Sequence, residues 1–264
     1  MGLFQKKAPL EKEWERLLKE EQKFLVSRAQ KRDTFLNQKL ENLVPVKLQD
    51  TLDAAFAKAF GLVFEKGTGV IEKTYNKNRM EQDFQINQFT SEIKKDAKSL
   101  KKFSRKAKQS GNVNLLVSGA AGVGMGVLGI GIPDIPVFIG MVLKSVYEIA
   151  LNYGYQYDTP EEQYFILLLI ETAVSRGEEL MDRNREIDAY IQAERMPEPY
   201  NRETQIRLTS AVLSKELLYM KFLQGVPVVG AVGGAYDAVY LKQITEYANM
   251  KYKRRFLTKK RMES

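Results

Sequence analysis

The chain has 264 residues, 44% of them hydrophobic and 10% aromatic, with a net charge of +8. That composition supplies enough apolar material for a packed core and argues against a disordered chain. Cysteine and histidine are both absent, which excludes disulfides, thiolate or imidazole metal sites and nucleophile pairs built on histidine.

The charge is unevenly placed. Residues 1–111 hold 24 Lys and Arg against 15 Asp and Glu, residues 112–248 hold 10 against 17, and residues 249–264 hold 7 against 1. Basic flanks around an acidic, apolar centre fit a protein that meets an anionic surface with its ends. The start, Met1-Gly2-Leu3-Phe4-Gln5-Lys6-Lys7, has no long apolar core and no small-residue cleavage site, so no secretory signal is expected. Lys6 stands where a myristoylation motif wants Ser or Thr.

In chain order, Leu10, Trp14, Leu17, Leu18, Phe24, Leu25, Phe35, Leu36, Leu40 and Leu43 fall at helical spacing and predict one long amphipathic N-terminal helix, or two, ending at Val44-Pro45. A helix over 46–65 is expected to bury Leu48, Leu52, Phe56, Ala59, Phe60 and Val63, and a third begins near Val70. The next helical stretch sets Ile86, Phe89, Ile93, Ala97 and Leu100 on one face. Its other side gathers Lys94, Lys98, Lys101, Lys102, Arg105 and Lys108, a basic stripe at i, i+3 and i+4 that reads either as a solvated face or as a contact for anionic lipid.

From Gln109 to Pro133, 25 consecutive residues carry no charge, and Gly119, Gly122, Gly124, Gly126, Gly129 and Gly131 recur within them. Each glycine would cost an exposed helix about 1 kcal/mol against alanine, so close approach of another helix is their expected use, with Gly122 and Gly126 forming a Gly-x-x-x-Gly pair. The segment turns at Pro133-Asp134-Ile135-Pro136 into a helix over 137–153. Together these predict a glycine-rich apolar hairpin that either enters lipid or packs inside a bundle. Thr159-Pro160-Glu161-Glu162 is a helix-start signal, with a Thr cap, Pro at the first helical position and Glu three residues after the cap. Its helix is expected to run on as far as Glu194, another covers 202–222, and a last one runs from Tyr236. A second glycine-rich hairpin is expected at Gly225-Val-Pro227, with Gly230, Gly233 and Gly234 following.

The closing run holds Lys251, Lys253, Arg254 and Arg255, interleaved with Tyr252, Phe256 and Leu257. It reads as a helix end lying on a lipid surface, or as a solvated tail. Gly124-x-Gly-x-x-Gly129 matches a dinucleotide fingerprint in letters only, because no βαβ unit surrounds it. Asp134, Glu148, Glu171 and Asp237 are acids set among apolar residues. They read as buried caps or satisfied ion pairs, or as a cation or acid–base site.

Val44-Pro-Val-Lys-Leu, Gly119-Ala-Ala-Gly, Gly131-Ile-Pro-Asp-Ile-Pro, Tyr147-Glu-Ile-Ala with Tyr153-Gly-Tyr, and Gly225-Val-Pro-Val-Val-Gly-Ala-Val-Gly-Gly-Ala together resemble the EcsC protein family of bacteria over about residues 10–258. The resemblance implies an all-α protein from a family whose founding members are encoded beside an ABC transporter, with no established enzymatic activity to carry over. The expected organisation is an amphipathic extension over 1–44, an EcsC-like multi-helix bundle over 45–258 and a basic tail over 259–264. The expected function is that of a non-enzymatic, cytoplasmic, membrane-peripheral adaptor or regulator with no cofactor and no metal. An anionic membrane surface and a membrane protein are its expected partners, and nucleic acid is not. The alternative is a carrier or enzyme holding an apolar ligand between the two hairpins.

Overall fold

The computed structural model describes residues 8–30, 46–66, 75–94, 96–109, 135–223 and 233–263. Among these residues the chain forms nine helices and no strand: α1 (Pro9–Val26), α2 (Val46–Lys66), α3 (Lys77–Lys94), α4 (97–109), α5 (Ile135–Asn152), α6 (Pro160–Val174), α7 (Gly177–Ala193), α8 (Arg202–Leu223) and α9 (Gly233–Met262). The all-α bundle is the architecture the periodicity predicts.

Helix α6 is sealed in the core because it has no polar face to turn outward: every residue from Glu162 to Val174 is buried. Each Leu and Ile from Ile166 to Ile170 adds about 1.5–3 kcal/mol by leaving water. The helix is one member of a closed ring, with α6 against α8, α8 against α2, α2 against α5, α5 against α9 and α9 back against α6. Helix α1 docks on α9, α7 on α6 and α3 on α5, so α1 shares the core through Leu17 and Phe24. Among the described residues α5 alone is long and apolar enough to cross a membrane, and 72% of it is buried inside the protein, as befits a core helix.

Thr159 caps α6 as its motif predicts, its side chain accepting from the Glu162 amide at 3.2 Å. The helix does not continue to Glu194. Ser175 turns its hydroxyl back to the Glu171 carbonyl at 2.9 Å, Arg176 is extended, and Gly177 takes a positive φ of 60° that glycine adopts without strain. The N-terminal helix also stops early, at Val26, where the Ser27 hydroxyl bonds the Phe24 carbonyl at 2.8 Å. The expected helix over residues 35–43 lies outside the described residues.

Candidate functional site

The predicted stripe and its apolar face do not share one helix. Asp96 accepts from the Ser99 amide at 2.7 Å and starts α4 afresh, so α3 and α4 present independent faces. On α4 the buried residues are Ser99, Phe103 and Ala107. The Phe103 ring packs 5.7 Å from that of Phe84 on α3 and 4.6 Å from that of Phe256 on α9. That anchoring turns Lys98, Lys101, Arg105 and Lys108 outward, leaves Lys102 half-buried and leaves Lys94 exposed at the end of α3.

Helix α3 itself corrects the expectation. Its buried positions are the polar Asn87 and Ser91, whereas Ile86, Phe89 and Ile93 are 63%, 66% and 65% exposed. The three sit at i, i+3 and i+7 and form one apolar stripe on the outside. Three exposed apolar residues on one helix face are more than the singly scattered ones that a protein surface ordinarily carries.

The C-terminal run is a second correction. Lys251 is fully buried, and Lys253 and Arg255 nearly so, because α9 is wedged among α1, α5, α6 and α7. Lys251 Nζ lies 2.7 Å from Asp188 and 3.2 Å from Glu21. Lys253 reaches Glu13 at 3.2 Å, and Arg254 grips Glu21 with Nε at 2.8 Å and with Nη2. Arg255 Nη1 donates to both oxygens of Glu162, at 2.9 and 2.8 Å, while its guanidinium lies 4.0 Å from the Tyr155 ring and 4.5 Å from Phe165. Burial works against this cation, yet Glu162 holds its pKa above the ordinary arginine value. These four residues therefore hold the fold together instead of forming a lipid contact.

Of the acids set among apolar residues, Glu148 is buried on α5. Glu171 is fully buried on α6, where Gln205 donates to it at 2.8 Å and Arg183 pairs with it. Burial nevertheless pushes its pKa up to about 7. Pro136 sits exposed in the first turn of α5, and Gly233 and Gly234 begin α9. Gly119, Gly122, Gly126, Gly131, Pro133, Asp134, Gly225, Pro227 and Gly230 lie outside the described residues, as does any description of the Asp237 side chain. No group of acids spaced to hold a metal ion occurs among the described residues.

A cleft of about 510 Å³ opens where α1, α4 and α9 meet. Phe24, Ala107 and Met250 give it apolar walls, and Arg28, Lys108 and Glu246 give it charge. Lys108 thus ends the stripe and lines the cleft. Sequence reading singled out neither this cleft nor the exposure of Ile86, Phe89 and Ile93. The available signal was Asp96 three residues before Ser99, a cap that divides the stretch in two.

The fold and this surface define an all-helical protein with a single shared core and a basic, partly apolar outer hairpin. By sequence the chain belongs to the EcsC protein family, whose model matches residues 10–257. No curated protein and no solved structure matches it.

Proposed function

We propose that the protein is a membrane-peripheral adaptor or regulator of a membrane system such as an ABC transporter, docking through α3 and α4. The observation that carries this reading is helix α3, with Ile86, Phe89 and Ile93 outside, together with the cations Lys94 at its end and Lys98, Lys101 and Arg105 on α4, all exposed. Near an anionic leaflet each cation contributes about 1 kcal/mol of attraction. The apolar stripe then adds burial at the headgroup boundary, worth about 25 cal/mol per Å². The family resemblance is what favours a membrane system in this reading.

Flotation with neutral and anionic vesicles tests the reading. Wild-type protein is expected to float with vesicles rich in phosphatidylglycerol and to stay behind with phosphatidylcholine alone. Ile86→Ser, Phe89→Ser and Ile93→Ser combined should lower the bound fraction at least tenfold without changing the helical circular-dichroism signal. Equal flotation of wild type and triple variant would refute docking by α3.

A further inference from the structure

Every buried cation on α9 has a carboxylate partner, which makes a second pair of cations conspicuous. Arg28, just past the end of α1, and Arg176, between α6 and α7, are brought together by the Gly177 amide, which donates to the Arg28 carbonyl at 2.9 Å. The Nε atoms of both are buried without a hydrogen-bond partner. Among the described residues neither guanidinium forms an ion pair. The Arg28 guanidinium carbon lies 3.9 Å from the centre of the Phe24 ring, and its Nη1 donates to Ser27 Oγ at 3.1 Å.

Burial and the neighbouring Arg176 both pull the Arg28 pKa down, with Glu246 acting the other way from a distance. The acids that line the cleft are turned to other cations, Glu20 to Lys108 at 3.9 Å and Glu246 to Lys242 at 4.0 Å. Arg28 lines the cleft, and the planar fork of a guanidinium is suited to a tetrahedral oxyanion. The cleft's volume of about 510 Å³ is that of a small-molecule site. On its remaining sides Phe24, Ala107 and Met250 offer apolar contact.

We propose that this cleft binds a phosphate-bearing ligand, with Arg28 holding the phosphate, Arg176 reinforcing the positive field behind it, and Phe24, Ala107 and Met250 receiving the ligand's apolar part. The site stands apart from the α3 stripe and does not depend on membrane docking. A free phosphate ester and a lipid headgroup present the same chemistry to Arg28, so the test separates them.

Calorimetric titration of the full-length protein would use inorganic phosphate, dihexanoyl phosphatidic acid below its critical micelle concentration, and dihexanoyl phosphatidylcholine as the zwitterionic control. Phosphatidic acid is expected to bind at least tenfold more tightly than phosphatidylcholine. Arg28→Gln should weaken it tenfold or more, and Arg28→Lys, which keeps the charge but loses the fork, should weaken it less. Equal affinity for inorganic phosphate would mark the natural ligand as a free phosphate ester, whereas a preference for phosphatidic acid would mark it as a lipid. Without ligand, Arg28→Gln and Arg176→Gln should melt at or above the wild-type temperature, because the like-charge crowding is relieved. The triple serine variant of α3 should bind phosphatidic acid as wild type does. The proposal is overturned if neither phosphate compound binds, if Arg28→Gln binds as well as wild type, or if both glutamine variants melt well below wild type.

Discussion

The basic stripe of α4 and the basic run of α9 use the same residue types, yet the first faces solvent and the second lies largely inside. Lys98, Lys101, Arg105 and Lys108 step by three or four and keep to one side of their helix. Lys251, Lys253, Arg254 and Arg255 are nearly consecutive, and successive residues of a helix turn by about 100°. They therefore occupy most of its circumference, and no placement of α9 in a bundle can leave all four in water. Burial then follows from contact on several sides, and it is tolerated because α1, α6 and α7 each bring acids, Glu13 and Glu21, Glu162, and Asp188. A stripe marks a surface; a run marks a helix end whose partners must be sought elsewhere in the chain.

The largest effect should come from removing one of those partners. Glu162→Gln leaves Arg255 charged among the Tyr155, Phe165 and Tyr190 rings, and breaking a buried pair by one member costs about 3–5 kcal/mol. Chemical denaturation should show that loss, and the double variant Glu162→Leu with Arg255→Met should recover most of it, since neither charge is then stranded. If the single variant were as stable as wild type, α9 would be solvated after all and the contrast with α4 would fall.

Glu171 gives the next effect, through pH. Its pKa is 4.5 ordinarily and about 7 in the fold, first because of burial and despite Arg183. The folded state thus holds the proton more tightly than the unfolded state does. The stabilising contribution is complete below about pH 4.5 and is lost as pH rises through 7, on the order of 3 kcal/mol in all. Unfolding free energies measured from pH 4.5 to 8 should fall along this window, and Glu171→Gln should flatten that part of the curve. The same slope in the variant would assign the effect to another group.

Much of the architecture was legible from local chemistry. The Thr159 cap, the all-apolar run from Phe165 to Ile170 and the start of α2 at Val46 each obey a rule that acts within a few residues. The misreadings concern what lies across the bundle. Period alone assigns Ile86, Phe89 and Ile93 to the core, but Phe84, packed against Phe103 of α4 and Phe256 of α9, decides which side of α3 faces inward. Nothing within ten residues of Lys251 announces that Glu21 and Asp188 will meet it. The cleft was equally hidden, since Arg28 and Arg176 are joined through a backbone hydrogen bond between segments distant in sequence.

A smaller loss is expected from Thr159→Ala, which removes the acceptor for the Glu162 amide at the start of α6. Helix caps of this kind are worth about 1 kcal/mol. Denaturation should show that amount, well short of the Glu162 effect even though the two residues belong to one motif. A loss as large as that of Glu162→Gln would mean that the cap also positions the Glu162 carboxylate under Arg255, tying the local signal to the long-range network.

The smallest effect on stability, and the sharpest contrast with α9, belongs to the stripe. Lys98→Glu, Lys101→Glu and Arg105→Glu together invert three exposed side chains while leaving untouched the neighbouring Lys106–Asp83 pair at 2.8 Å and the Phe103 anchor beneath. Exposed charges are well hydrated in both folded and unfolded chains, so the denaturation midpoint should stay where it is. Vesicle binding responds in the opposite sense: each reversal replaces attraction to an anionic leaflet by repulsion, and flotation should be abolished at low salt. An unchanged midpoint with lost flotation is the outcome that a contact surface requires. A lowered midpoint would make α4 a second buried run like α9, and flotation that survives all three reversals would move the docking surface away from α4.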